Sequence, residues 1–110
     1  MPPTQGKERL QMDILHTPQV DELFEAILSL RNAEECYHFF EDVCTVKEIQ
    51  DIAQRLKTAR MLSEGANYLE INKETGCSTA TISRVRRCLE YGSGGYRTVL
   101  ARVAKKESDT

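Results

Sequence analysis

Apolar residues that recur every three or four positions constrain the fold of this 110-residue chain more than any other feature. Between positions 18 and 30 the apolar residues are Val20, Leu23, Phe24, Ile27, Leu28 and Leu30. This spacing places them on one face of an amphipathic helix, and no stretch shows the alternating pattern of a strand. Only 3 residues are proline, so little interrupts helical structure. The sequence therefore predicts an all-α protein.

Capping residues predict where the first three helices begin. Thr17 followed by Pro18 is typical of a helix start, and Asn32 is placed to cap a second helix. Thr45 and Glu48 have the spacing of a capping box, in which each side chain accepts a backbone hydrogen bond from the other residue. A long third helix should follow, with inward-facing residues at Ile49, Ile52, Ala53, Leu56, Ala59 and Leu62.

Glycines predict where the later helices end. Gly65 ends the third helix, and a short fourth helix over 68–75 ends at Gly76. The fifth helix runs from a cap at Ser78 to about residue 91. A glycine-rich run at 92–95 then separates it from the sixth and last predicted helix.

Charge is divided unevenly along the chain. Residues 1–45 carry three basic and nine acidic side chains, a net charge of −6, whereas residues 46–110 have a net charge of +4. The nearly neutral total therefore hides an acidic first part and a basic second part. The predicted domain organisation is a flexible segment over 1–16, one domain over 17–104 and a polar tail over 105–110.

Missing features exclude several classes of protein. The sequence has no run of 18 apolar residues and no signal peptide, so we expect no membrane partner and a location in the bacterial cytosol or nucleoid. The four cysteines have no C-x-x-C spacing, which predicts reduced thiols rather than a disulfide or metal site. The only histidines, His16 and His38, have no nucleophile or metal partner in the sequence. We therefore expect no catalytic residue and no enzyme activity.

The stretch from residue 68 to residue 91 carries the functional prediction. Two short helices flank Gly76, an arrangement typical of a helix-turn-helix. On a helical wheel Ile82, Val85 and Leu89 share one arc and should anchor the second helix. The opposite arc carries Ala80, Ser83, Arg84 and Arg87, with Thr79 at the exposed start of the helix.

This outward arc has the chemistry of a surface that reads DNA. Short side chains let a helix enter the major groove closely, while hydroxyl groups and arginines bind base edges or phosphates. Arg86 is nearer the apolar edge, so it should flank the reading surface. Further basic residues that could contact the DNA backbone are Arg97, Arg102, Lys105 and Lys106. The predicted DNA-binding residues are Lys73, Ser78, Thr79, Ala80, Ser83, Arg84 and Arg87.

Two alternatives to DNA reading stay open at this point. Arginines on a helix are often only a solvated surface, and a glycine between helices is often only a turn. The second alternative is a protein-interaction module without specific DNA binding, in which the acidic first part faces a basic partner.

The run from Glu74 to Arg84, together with the upstream runs ELFEAILSL and EECYHFFEDVCTV, resembles the Trp repressor superfamily, in its YerC/YecD-like branch. The resemblance covers roughly residues 18–104. It implies a six-helix all-α fold that forms an intertwined homodimer. It also implies a transcriptional repressor that binds pseudo-palindromic operators in double-stranded DNA.

The same resemblance implies a co-ligand site for tryptophan between Arg55 and Arg84, with Thr45 nearby. In this sequence Val85 stands where the family has a glycine, and its side chain would occupy the space of the indole ring. No cofactor is therefore predicted, and the alternatives are another small co-ligand or a reading helix already fixed by Val85. The structural alternative for Arg55 is an ion pair with Asp51 on the same helix.

Overall fold

The structure is a computed structural model that describes residues 14–108, with side chains described as far as Lys106. This part of the chain contains six α-helices and no strand, which confirms the predicted all-α fold. Residues 1–13 of the predicted flexible segment lie outside the described residues, whereas Ile14 and Leu15 have helical backbone. The helices are α1 (Pro18–Leu28), α2 (Ala33–Val43), α3 (Val46–Ser63), α4 (Tyr68–Thr75), α5 (Thr79–Tyr91) and α6 (Gly95–Ser108).

Helices α1 and α2 belong to a first compact unit, and their predicted caps are confirmed. The hydroxyl oxygen of Thr17 accepts the N–H of Val20 at 3.2 Å, with proline in the first turn of α1. The side chain of Asn32 accepts the N–H of Glu35 at 2.8 Å. Each cap satisfies a backbone donor that the first turn of a helix leaves unpaired.

The apolar side chains of this first unit remain largely open in the single chain. Neither α1 nor α2 contains a buried residue. Leu28 is 84% exposed and Phe24 is 49% exposed, although both belong to the apolar face of α1. Phe39 and Phe40 make an edge-to-face contact with ring centroids 5.4 Å apart.

Helices α3 to α6 belong to a second compact unit that contains the buried core. Helix α3 begins with the predicted capping box, because Thr45 and Glu48 exchange hydrogen bonds of 2.9 Å and 3.1 Å. The hydrogen bond from the Thr45 backbone lowers the pKa of the Glu48 carboxyl. The buried apolar residues of the unit are Ala59, Ile71, Cys77, Ile82 and Val85.

The prediction that six residues of α3 face inward is wrong for three of them. Ile52 is 53% exposed and Leu56 is 40% exposed, and Ala53 is also exposed. The reason is that the core cluster contacts the last turns of α3, where Met61 and Leu62 pack against it. The first half of α3 therefore keeps an open apolar surface in the single chain.

The turn after α3 ends this long helix at Gly65, as the sequence predicts. After α3, the N–H of Gly65 bonds the carbonyl of Leu62 and the N–H of Ala66 bonds the carbonyl of Met61. This is the Schellman pattern, and Gly65 has a φ of +88°. At the other end of the unit, α6 continues to Ser108, so much of the predicted polar tail is helical. None of the described helices is both long and apolar enough to cross a membrane.

Candidate nucleic-acid interface

The turn between α4 and α5 depends on the backbone conformation of Gly76. Its φ is +76°, in the left-handed region that side chains other than glycine rarely adopt. Its N–H bonds the carbonyl of Asn72 at 2.8 Å and closes the last turn of α4. A Cβ atom at Gly76 would meet no other atom within 4 Å, so conformation rather than space favours glycine.

Polar side chains then hold the turn in one geometry. The Asn72 amide donates to the carbonyl of Cys77 at 2.7 Å. The Thr75 hydroxyl donates to the carbonyl of Ile71 at 2.7 Å and accepts the N–H of Cys77 at 3.1 Å. The buried Thr58 hydroxyl of α3 donates to the Cys77 thiol at 3.4 Å. The sequence analysis did not identify the roles of Asn72, Thr75 and Thr58, although small polar residues beside a turn glycine often bond the backbone of the turn.

The predicted anchor of α5 is confirmed by burial. Ile82 is fully buried and Val85 is 3% exposed. Ile71 of α4 is fully buried in one core cluster with Ile82. Leu89 is half-buried, so the anchor weakens towards the end of α5. The start of α5 is also fixed, because the Ser78 side chain accepts the N–H of Thr81 at 3.2 Å.

The opposite arc of α5 is open, as the helical wheel predicts. All seven predicted DNA-binding residues are exposed in the structure. Six of them are on or immediately before α5, and Lys73 adds a positive charge from the last turn of α4. The residues on this surface, named the reading face, are Ser78, Thr79, Ala80, Ser83, Arg84 and Arg87.

The three arginines of α5 have different surroundings. Arg86 bonds Glu90 through its Nε atom at 3.0 Å, and this bond is the main reason that the pKa of Arg86 is raised. Arg84 and Arg87 have no hydrogen-bond or ion-pair partner within residues 14–108. The structure therefore leaves two guanidinium groups open to an external anion and holds the third in place, in agreement with the prediction that Arg86 flanks the surface.

Tyr68 contacts the reading face, and sequence reasoning missed it. The Ser83 and Tyr68 hydroxyl oxygens lie 3.3 Å apart in a hydrogen bond, which links the start of α4 to the exposed side of α5. Hydrogen bonds from Ser83 and then Arg86 lower the pKa of Tyr68. A tyrosine at the start of α4 could have indicated this contact, because the hydroxyl of a partly buried tyrosine usually has a hydrogen-bond partner.

Arg97 has a structural role that its prediction as a contact to the DNA backbone did not include. Its guanidinium donates to the carbonyls of Leu89 at 2.9 Å and Glu90 at 3.3 Å. These carbonyls are in the last turn of α5, where a helix lacks internal donors. Arg97 of α6 therefore stabilises the end of the helix that carries the reading face.

The structure does not bring the predicted co-ligand residues together as one site. Thr45 is used as the cap of α3, and the Val85 side chain is buried in the core. Arg55 lines a cavity of about 550 Å³ together with Cys88 and Tyr96, and burial raises the pKa of Tyr96. That cavity is not lined by Thr45, Arg84 or Val85.

A second cavity beside Arg55 also differs from the expected site. Its volume is about 240 Å³, and it is lined by Ser78 and Thr81 but not by Thr45, Arg84 or Val85. The suggested ion pair of Arg55 with Asp51 is wrong, because Asp51 pairs with Lys47 at 3.1 Å. In the single chain, therefore, Thr45, Arg55, Arg84 and Val85 do not line one common cavity.

Comparison with known proteins identifies the family. The family model described as Trp repressor protein matches residues 18–104. The chain is 54% identical to the uncharacterized protein YerC of Bacillus subtilis over 101 residues, which cover 92% of this chain and 97% of YerC.

Two solved structures have the same fold. A TrpR-like protein from Eubacterium eligens has a TM-score of 0.82 at 52% identity, covering 84% of this chain and 95% of its own. A proposed Trp repressor from Staphylococcus aureus has a TM-score of 0.82 at 51% identity, covering 86% and 94%. With a helix-turn-helix among the six helices between Pro18 and Ser108, the chain belongs to the Trp repressor family, in the branch that includes YerC.

Proposed function

We propose that the protein is a sequence-specific DNA-binding transcriptional regulator, acting as a repressor, that places α5 in the major groove. The observation that carries the proposal is the contrast along α5. One side is buried and anchored by Ile82 and Val85, while the other exposes Arg84 and Arg87 without a partner among the described residues. A rigid helix with open cations and short polar side chains matches the geometry and charge of a major groove.

Each residue of the reading face has a proposed role. Thr79, Ala80 and Ser83 meet base edges directly or through water, because their side chains are short enough for close approach. Arg84 and Arg87 bind phosphate or guanine. Ser78 caps α5, whose positive end favours a phosphate, and Lys73 adds a backbone contact from α4.

The active form in this proposal is a homodimer. The apolar surfaces of α1 and the first half of α3 are open in the single chain, with Leu28 84% exposed. Such surfaces are costly in water and are typical of an interface between subunits. A two-fold dimer presents two reading faces to successive major grooves, so the operator should be a pseudo-palindrome with half-sites one helical turn apart.

In this proposal the protein binds DNA without tryptophan. Val85 packs inside the second unit at 3% exposure, so its side chain already contributes to holding α5. A co-ligand that acts by ordering α5 would therefore change the conformation of this helix little. Binding to the operator should therefore be the same with and without added L-tryptophan.

The deciding experiment is selection of random duplex DNA by the purified full chain, with and without L-tryptophan. An enriched pseudo-palindrome in both arms supports the proposal and supplies the operator. Enrichment only with tryptophan would retain DNA reading and overturn the independence from the co-ligand. No enrichment in either arm would overturn sequence-specific binding and favour a module that binds another protein.

The selected operator then tests the reading face. Arg87→Ala should weaken binding and, if Arg87 binds a phosphate, reduce the slope of log affinity against log salt by about 1. Arg31→Ala removes the same charge from an exposed position in the first unit, and its slope should equal that of the unchanged protein. Equal slopes and equal affinities for all three proteins would show that Arg87 does not touch the DNA.

A further inference from the structure

The end of α5 is closed by a side chain from another helix. The last turns of α3 and α4 are instead closed by the backbone N–H groups that follow each helix. Within residues 14–108, no backbone N–H bonds the carbonyls of Leu89 and Glu90 in the last turn of α5. The guanidinium of Arg97 donates to both, at 2.9 Å and 3.3 Å. Two carbonyls that end this helix therefore depend on α6 for their hydrogen bonds.

The conformation of Gly92 explains why the backbone does not close this turn. Gly65 and Gly76 have positive φ, which turns the following chain back towards the carbonyls of the helix that they end. Gly92 leaves α5 in an extended conformation, with φ −81° and ψ −162°. The carbonyls at the end of α5 thus remain open to Arg97, whose positive charge also complements the negative end of the helix.

The last turn of α5 has little burial to hold it. Ile82 is fully buried and Val85 is 3% exposed, whereas Leu89 is half-buried and Tyr91 is 82% exposed. Arg87 lies between these two parts of the helix. In an α-helix the carbonyl of residue 87 is bonded by the N–H four positions on, which belongs to the last turn. The backbone of Arg87 is therefore helical only while that turn is formed.

We propose that Arg97 is a positioning residue for DNA reading, because it holds the last turn of α5 from α6 and thereby fixes where Arg87 meets the DNA. Arg97 acts through α5 and makes no contact of its own with DNA. The inference rests on the proposed function, since it concerns how one arginine of the reading face is held. Arg84 gives an internal comparison, because it directly precedes the buried Val85 and should not depend on Arg97.

The first measurement tests the contact itself and needs no DNA. Amide hydrogen exchange of the full chain is measured by NMR for Arg97→Ala and for Arg102→Ala, which removes the same charge from an exposed position of α6. The N–H of Gly92 bonds the carbonyl of Cys88 at 2.8 Å and should exchange about fivefold faster in Arg97→Ala. The N–H of Ile82, in the anchored part of α5, should change by less than about twofold. In Arg102→Ala both rates should equal those of the unchanged protein.

The second measurement compares pairs of substitutions on the selected operator. Arg97→Ala should weaken binding about fivefold, because the DNA must then order the last turn of α5. In the Arg87→Ala background the same substitution should cost less than about twofold, since the side chain that it positions is gone. In the Arg84→Ala background it should again cost about fivefold. Should Arg97→Ala not fold, Arg97→Lys keeps the charge without the two-pronged geometry and replaces it in both measurements.

Three outcomes would overturn the inference. If Arg97→Ala costs the same factor in the Arg87→Ala and Arg84→Ala backgrounds, Arg97 does not act through Arg87. A slope of log affinity against log salt that is lower by about 1 in each background would then show that Arg97 itself binds a phosphate. If Arg97→Ala lowers the melting temperature without changing affinity, its role is only structural.

The third outcome is an unchanged exchange rate at Gly92 in Arg97→Ala, which would show that α6 does not hold the end of α5. These three results leave the proposed function intact. Failure of the unchanged protein to select any sequence would remove the proposed function and this inference with it, whatever the exchange rate of Gly92.

Discussion

Two regions of the molecule differ in how their apolar faces are buried. One region is the helix-turn-helix of α4 and α5, and the other is the first helix, α1. Both carry an apolar stripe at helical spacing, and each of their helices begins with a side chain that caps its first turn, Thr17 for α1, Asn67 for α4 and Ser78 for α5. In the helix-turn-helix the stripe is closed within one chain, since Ile71 and Ile82 are fully buried. In α1 the stripe remains open, with Phe24 49% and Leu28 84% exposed. The first surface is buried within the chain itself, whereas the second is left exposed in the single chain.

The largest expected effect comes from opening the closed stripe. Ile82→Ala removes a fully buried side chain and should lower the free energy of unfolding by about 3 kcal/mol, through lost burial and the cavity left behind. Urea unfolding measures this change. The matched control is Leu69→Ala in α4, where Leu69 is 79% exposed. This substitution should lower the free energy of unfolding by less than about 0.5 kcal/mol. Similar costs for both would show that the α4–α5 core does not hold this unit together.

The second prediction tests the cover over the open stripe. In the proposed dimer Leu28 is buried by the partner, so Leu28→Ser should cost about 2 kcal/mol of lost apolar burial per copy. The dissociation constant of the dimer should rise at least about tenfold, which sedimentation over a concentration series measures. Leu69→Ser makes the same chemical change on the exposed side of α4 and should leave the assembly unchanged. If the unchanged protein is a monomer at all concentrations, a second copy of the chain does not bury the apolar face of α1.

The sequence predicts where helices begin and which face is apolar better than it predicts what covers that face. Caps at Thr17, Thr45 and Ser78 are local signals, because each depends on residues within one turn of helix. The exposed arc of α5 also follows from helical spacing alone. By contrast, spacing cannot tell whether an apolar side chain is covered by its own chain or by another one. Ile52 and Leu56 are the example, since both have core spacing and both are exposed here.

The candidate site follows the same division. Arg84 and Arg87 could be placed on the reading face because their outward direction depends only on α5. Tyr68 could not, because its bond to Ser83 joins residues 15 positions apart through the turn. Arg97 was likewise assigned to DNA on charge alone, although its partners are carbonyls at the end of α5. Long-range hydrogen bonds of this kind have no signal in periodicity.

A smaller effect is expected at the turn that orients the reading face. Gly76→Ala places a side chain at a φ of +76°, which should lower the free energy of unfolding by about 1 kcal/mol although no atom obstructs it. The control is Gly95→Ala at the start of α6, where φ is not positive and no atom lies within 4 Å of the added carbon. This control should be neutral or slightly stabilising, because alanine favours helix. Thermal unfolding compares the two, and equal melting temperatures would contradict the conformational requirement at Gly76.

The smallest effect is expected at the start of α3, where the second unit begins. The pKa of Glu48 is lowered, mainly by the hydrogen bond from the Thr45 backbone. A carboxyl whose pKa is lower in the folded state contributes stability above its unfolded pKa, and that contribution is lost as the pH falls through the folded pKa. Glu48→Gln keeps a capping-box side chain but does not titrate, so the loss of stability on acidification should be smaller than in the unchanged protein.

Chemical unfolding between neutral and acidic pH measures this difference. Glu25→Gln changes the charge by the same amount at an exposed position of α1 without such a bond, and its pH dependence should follow that of the unchanged protein. If Glu48→Gln and Glu25→Gln behave alike, the capping box does not couple the start of α3 to pH. If only Glu48→Gln has a smaller loss of stability on acidification, the capping box stabilises the second unit, because it stabilises α3, on which α4 and α5 pack.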